Sequence, residues 1–251
     1  MDRQAVEEAA RLLILARRDR SLVDRLPPDS RPHSAAEAEA IQHAVVAGLG
    51  DRIAGWKVAL SEEFGVMRGA LLTSRVYATE ARIPAVEMPG LCIEAEIAFR
   101  CDADLPPRRE VYLRAEIEDK VTALVGMEVV DSRFRDAANV PAIERAADFM
   151  SNGGFVVGKV RADWRGRDFM ALAASVIVNG EAVVDRKVGG LAPKDPVIPL
   201  VALVNTLRES TGLFRGQIVT TGTYSGVTRC SPGDTVQVVF DDFGDATVRF
   251  A

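Results

Sequence analysis

One stretch limits what this chain can become: Ile93-Glu94-Ala95-Glu96-Ile97-Ala98-Phe99. Its apolar residues recur with period two, the mark of a strand with two unlike faces. Ile93, Ala95, Ile97 and Phe99 share one face, and Glu94, Glu96 and Ala98 share the other. At the strand rise the two glutamates stand about 7 Å apart. A pair of acids on an edge strand is usually a solvated face. A second run, Leu124-Val125-Gly126-Met127-Glu128-Val129-Val130, changes the balance, because its single charge lies inside an apolar strand. A glutamate in that setting is buried only when it is paired or bound to a cation. Three carboxylates converging in a cleft repel one another, and a divalent ion removes the repulsion. Glu94, Glu96 and Glu128 are therefore read as a three-carboxylate metal site.

The rest of the composition narrows the ion and the function class. Only two histidines occur, His33 and His43, and neither is near an acidic motif. Zinc hydrolase and two-His-one-carboxylate iron sites need imidazoles, as does a histidine-based triad. An all-oxygen set favours a hard ion, Mg²⁺ or Mn²⁺. Cys92, Cys101 and Cys230 are scattered, without ligand spacing, and read as reduced packing residues. A net charge of −5 gives no electrostatic case for nucleic acid or an anionic membrane surface. No apolar run approaches the roughly 20 residues of a membrane span, and the start reads as an amphipathic helix, so the cytoplasm is the default location.

The 251 residues suit one good-sized domain with a helical appendage, the boundary falling near residue 50. Helices are expected over 2–18 and from Ser34 to about Gly48, the second opened by a Ser34/Glu37 capping box. Strands follow at 53–60, 93–99, 124–130, 155–158, 175–178, 182–184, 217–221, 235–240 and 246–250, with a tight turn at Asn179-Gly180. Further helices are expected over 109–120, 143–149 and 199–208. Lys57 is the one charge in the first strand, and spacing alone reads it as snorkelling outward.

Taken together, these pieces resemble the fumarylacetoacetate hydrolase superfamily, in particular its branch of 2-oxopent-4-enoate hydratases and related oxo-acid decarboxylases. The resemblance rests on Gly55-Trp56-Lys57-Val58, the Glu94-x-Glu96 strand, Glu128-Val129-Val130-Asp131-Ser132-Arg133, Asp148 with Ser151, Thr221-Gly222-Thr223-Tyr224-Ser225-Gly226, and Ser231-Pro232-Gly233-Asp234. It covers roughly residues 50 to 251. It implies an α+β fold, a mixed β-roll or sandwich with an N-terminal helical part (1–50 and 51–251). It also implies metal ligands at Glu94, Glu96 and Glu128, an active-site Lys57, and pocket-lining hydroxyls at Ser151 and Thr223. Asp131 and Arg133 read as a structural ion pair or strand-end cap. Met67, Arg68, Phe149 and Met150 depart from the branch where substrate would sit. The activity implied is hydration of a 2-hydroxy-2,4-dienoate by a homo-oligomer. A 2-oxo-acid decarboxylase, an acylpyruvate hydrolase and a non-catalytic 2-oxo-acid binder are the alternatives.

Overall fold

The computed structural model describes residues 1–190 and 194–251. It opens with two helices, α1 (Arg3–Asp19) and α2 (Ala35–Leu49). Asp2 caps α1 by accepting from the Ala5 amide at 2.8 Å, and Arg17 and Arg18 complement the dipole at its other end. Ser34 caps α2 as expected. Glu37, however, returns its carboxylate to the His33 amide at 2.8 Å, one residue earlier than a capping box requires.

The strands are β1 (Ile53–Ser61), β2 (Gly65–Leu72), β3 (Val76–Ala78), β4 (Ala81–Ile83), β5 (Cys92–Cys101), β6 (Val121–Val130), β7 (Asn152–Arg161), β8 (Ala173–Val178), β9 (Glu181–Val188), β10 (Ile218–Thr223), β11 (Thr228–Arg229), β12 (Thr235–Phe240) and β13 (Gly244–Phe250). Short helices α3 (Arg114–Glu118) and α4 (Ala142–Ala147) and the longer α5 (Val197–Leu207) punctuate them. One sheet runs β2-β1-β10-β5-β6-β7-β3, with β11 also on β5; a second runs β4-β13-β12-β8-β9. The β1–β10, β3–β7 and β4–β13 pairs are parallel and the others antiparallel. This is the expected α+β architecture. The Asn179-Gly180 turn has both residues at positive φ (52° and 89°), which suits the right-handed twist of the β8–β9 hairpin.

The main core spans both sheets and both N-terminal helices: Leu13, Ile41, Trp56, Phe99, Val129, Leu200, Val236 and Phe250 all belong to it. Gln42 of α2 docks on the edge strand β2. Its amide donates to the Arg68 and Ala146 carbonyls and accepts from the Ala70 amide, at 2.7 to 2.9 Å. That side chain supplies the pairing the open edge lacks. A smaller cluster, Leu71, Ala98, Leu124, Phe155 and Ile218, lies apart from the main core. By strand alternation Ala98 and Leu124 are on the face that carries Glu96 and Glu128.

The helix expected over 109–120 is only α3. Tyr112 instead sits buried in an extended lead-in, its backbone bonded by Asn205 of α5 and its hydroxyl donating to the Pro106 carbonyl at 2.8 Å. Helix α4 also stops two residues short of 149, where Phe149, Met150 and Ser151 all take positive φ. Among the described residues, no helix is long and apolar enough to cross a membrane.

Candidate metal centre and active-site cleft

The antiparallel β5–β6 pairing sets Glu94 directly opposite Glu128, and Glu96 opposite Gly126. Like charges facing each other across a ladder are destabilising unless something neutralises them. Here one oxygen from each of the three glutamates falls within 4.8 Å of the others. Glu96 and Glu128 are fully buried, and Glu94 is 8% exposed. The alternation read from residues 93–99 thus carries through to a single cluster.

Lys57 does not snorkel outward. Pairing of β1 with β10 and of β10 with β5 puts Lys57 in register with Thr220, and Thr220 with Ala98. Lys57 therefore lies on the acidic face. Its Nζ donates to Glu128 Oε1 at 3.0 Å and stands 2.9 Å from Glu128 Oε2 and 3.7 Å from Glu94 Oε2. Burial alone would lower its pKa, but Glu128, then Glu94 and Glu96, outweigh that and raise it. Burial raises Glu94, with Glu128 adding to the rise and Lys57 opposing it. Burial and Glu128 hold Glu96 well above the ordinary carboxylate range.

Three further groups complete the site, of which only Gly222 lies in a motif singled out in the sequence. Thr220 Oγ1 donates to Glu96 Oε2, and so does the Gly222 amide at 3.2 Å. Asn152 Nδ2 donates to Glu128 Oε1 at 3.1 Å. The β10–β5 register slips between Thr220 and Thr223. That slip, with Gly222 at φ 116°, turns the Gly222 amide toward the acid, a backbone state that only glycine adopts without strain. Thr220 reads in the chain as an ordinary strand residue and Asn152 as a turn residue, and only the register of the strands reveals them.

A cleft of about 500 Å³ opens beside the cluster, lined by Lys57, Glu94, Glu96, Leu60, Pro199 and Thr223 among others. Thr223 is thus in the cleft wall, its hydroxyl accepting from the Gly226 amide at 2.9 Å. Ser151 is buried and does not line the cleft; it sits in the turn that delivers Asn152. A Cβ at Gly69 would come within 2.2 Å of the Phe149 carbonyl oxygen. Because Gly69 pairs with Lys57, that turn lies over the same sheet face.

The expectation that Met67, Arg68, Phe149 and Met150 stand where substrate would sit is corrected: none of them lines the cleft. Arg68 pairs with Val58, one residue out of phase with Lys57, so it points to the opposite face. There it meets Glu39 at 2.7 Å and lies over the Trp56 ring at 4.7 Å. The Phe149 ring lies under the Arg17 guanidinium at 4.4 Å.

Asp131 and Arg133 form the structural ion pair expected of them. The pair extends into a buried network: Asp148 accepts from the Arg133 amide and from Arg17, both at 2.7 Å, and Asp131 accepts from the Gly90 amide at 2.7 Å. The Asp131 amide donates to the Ser151 carbonyl at 2.9 Å. The network thereby fixes the turn that carries Asn152. All three cysteines are free thiols, and burial pushes Cys101 up to about 11 and Cys230 up to about 12, so both remain protonated near neutral pH.

Residues 50–251 match the family model described as fumarylacetoacetate (FAA) hydrolase C-terminal. A 2-keto-4-pentenoate hydratase from Paraburkholderia phymatum is 27% identical over 262 residues, covering 100% of this chain and 99% of the relative. One of the same name from Paraburkholderia xenovorans is 26% identical over 263 residues, covering 100% and 96%. Among solved structures, 4-oxalocrotonate decarboxylase from Pseudomonas putida G7, complexed with magnesium and adipate, has a TM-score of 0.85 at 21% identity and covers 100% of this chain and 99% of that one. Fumarylpyruvate hydrolase from Pseudomonas aeruginosa, in complex with Mn²⁺ and pyruvate, has a TM-score of 0.53 at 17% identity, covering 78% and 88%. At these identities the structural likeness speaks for the fold alone.

Proposed function

Since the chain belongs to the fumarylacetoacetate hydrolase family, we propose that this cleft is the active site of a divalent-metal-dependent hydratase. The reaction adds water to a 2-hydroxy-2,4-dienoate, through its 2-oxo tautomer, to give a 4-hydroxy-2-oxo acid. One observation carries the reading: three buried carboxylates converge within 4.8 Å with a single lysine against them. Full-length similarity to hydratases favours this reaction over the others of the family.

The donor set fits a hard dication. All three grouped ligands are carboxylates, and the buried Glu96 Oε1 has no hydrogen-bond partner. Glu94, Glu96 and Glu128 would hold Mg²⁺ or Mn²⁺, which when bound would supply Lewis-acid charge to the carboxylate and 2-oxo oxygens of the substrate. Lys57, with Nζ 2.9 Å from Glu128 Oε2 and 3.7 Å from Glu94 Oε2, is placed to act as a positive charge and donor for the developing enolate oxygen. Leu60 and Pro199 keep the cleft wall apolar and strengthen those interactions. Thr223 in the wall is assigned to orient substrate and water, and Ser151, buried outside the cleft, belongs to the turn that delivers Asn152. Ketonisation of the dienol places a proton on C5 and leaves a C3–C4 double bond. Water then adds across that bond, its hydroxyl going to C4 and its proton to C3.

The test is a panel of 2-hydroxydienoates, 4-oxalocrotonate and acylpyruvates, followed by ultraviolet absorbance with Mg²⁺ or Mn²⁺ and by mass spectrometry of products. A product heavier than the dienoate by one water supports the hydratase. Release of CO₂ or cleavage of an acylpyruvate would replace it with a decarboxylase or hydrolase. Binding without turnover across the panel would leave a 2-oxo-acid binding protein.

A further inference from the structure

Glu96 is tied by one oxygen and left open at the other, and Asn152 ties one oxygen of Glu128 while Lys57 Nζ lies against both. Glu96 Oε2 takes both the Thr220 hydroxyl and the Gly222 amide, while Oε1 is buried without a partner. Glu128 Oε1 takes both Asn152 Nδ2 and Lys57 Nζ. Its Oε2 accepts no aligned hydrogen bond, although Nζ stands 2.9 Å away. Among the described residues Glu94 has no comparable tether; Lys57 Nζ stands 3.7 Å from its Oε2. A carboxylate whose far oxygen is occupied by charge-assisted hydrogen bonds cannot rotate to present both oxygens to an ion.

That constraint bears on which ion fits. Mg²⁺ takes six ligands in near-ideal octahedral geometry, and single-oxygen carboxylates suit it. Ca²⁺ takes six to eight oxygens and readily accepts bidentate carboxylates. We infer that Thr220 and Asn152 are positioning residues that hold Glu96 and Glu128 to one ligand oxygen each, and so bias the site toward Mg²⁺ and Mn²⁺ over Ca²⁺. This rests on the metal site assigned above. Neither residue touches the ion; each acts through the glutamate it holds. Thr220 is placed for this by its register with Lys57 and Ala98, and Asn152 by the Asp131–Arg133–Asp148 network behind its turn.

The experiment is calorimetric titration of chelator-treated full-length protein with Mg²⁺, Mn²⁺ and Ca²⁺. Thr220→Val keeps the shape and removes the donor, and Thr220→Ser restores it. Outer-shell losses of this kind typically weaken metal affinity about 10- to 100-fold. In Thr220→Val, Mg²⁺ affinity should fall by that order, with Ca²⁺ affinity falling less, so that the Mg²⁺/Ca²⁺ preference drops about tenfold. Thr220→Ser should recover it. Asn152→Ala should behave like Thr220→Val; a melt beforehand checks that it is folded, and the Thr220 pair decides the matter if it is not. Equal loss of both ions, or wild-type affinities in Thr220→Val, would overturn the inference while leaving the metal site standing. No binding by the wild type would overturn both.

Discussion

Glu96→Gln separates a metal ligand from a structural acid. Glu96 is fully buried, and its charge faces those of Glu94 and Glu128. At an effective dielectric of about 20, like charges about 5 Å apart repel by about 3 kcal/mol per pair. Attraction to Lys57 offsets part of this, and burial with the repulsion of Glu128 holds the Glu96 carboxyl well above the ordinary range. The glutamine can turn its oxygen to Thr220 and Gly222 and its amide N–H toward the remaining acids. The metal-free variant should therefore be as stable as the wild type or more so, by about 1–3 kcal/mol, or roughly 2–10 °C for a chain of this size. Metal should act oppositely. At a hundred times Kd an ion stabilises the wild type by about 2.7 kcal/mol, and Glu96→Gln should lose most of that gain.

The pH dependence has a fixed sign. A carboxylate whose folded pKa is raised favours folding below its unfolded pKa and loses that contribution as pH rises through the folded value. The stability gap between metal-free Glu96→Gln and metal-free wild type should widen from about pH 4.5 upward. Thermal melts of chelator-treated protein across pH 4.5–8, with and without Mn²⁺, read both effects. A metal-free variant markedly less stable than wild type at neutral pH, or one with an undiminished Mn²⁺ shift, would refute the reasoning.

Lys57→Ala in the presence of Mg²⁺ should lower kcat by about 10²–10³, the usual loss when a preorganised donor to a developing oxyanion is removed. Steady-state kinetics on the folded variant checks this, and a near-normal kcat would count against the role given to Lys57. Arg133→Ala should cost about 3–5 kcal/mol, because it leaves Asp131 buried and unpaired. Urea titration measures that loss, and a change below about 1 kcal/mol would show that Asp131 is otherwise compensated.

Much of the site was legible because strand alternation is a local property. The face shared by Glu94 and Glu96, and the oddity of Glu128 in an apolar run, follow from period two alone. The ion pair of Asp131 and Arg133 was also readable. The misreadings have physical causes. A charged, helix-compatible run at 109–120 was cut short by Tyr112, which packs into the core and exchanges backbone bonds with Asn205. Arg68 was expected near substrate because it departs from the branch pattern in the segment after the lysine strand, yet one residue of phase with respect to Lys57 puts it on the other face.

The sequence by itself determined which side chains share a face within each strand, since that is set by covalent geometry over two or three residues. It also made the candidate ligands carboxylates, a donor set that favours a hard ion, since neither His33 nor His43 joins the acid cluster. Only the tertiary structure decided that Glu94 and Glu128 oppose each other, that Lys57 points inward, and that Thr220, Gly222 and Asn152 hold the acids. The placements of Lys57, Thr220 and Gly222 depend on β10 lying between β1 and β5 and on where its register slips, and those of Glu128 and Asn152 on the β5–β6 and β6–β7 pairings. The pairings of β10 join residues more than a hundred positions apart, and their free energy comes from burying the whole sheet rather than from any short stretch of chain.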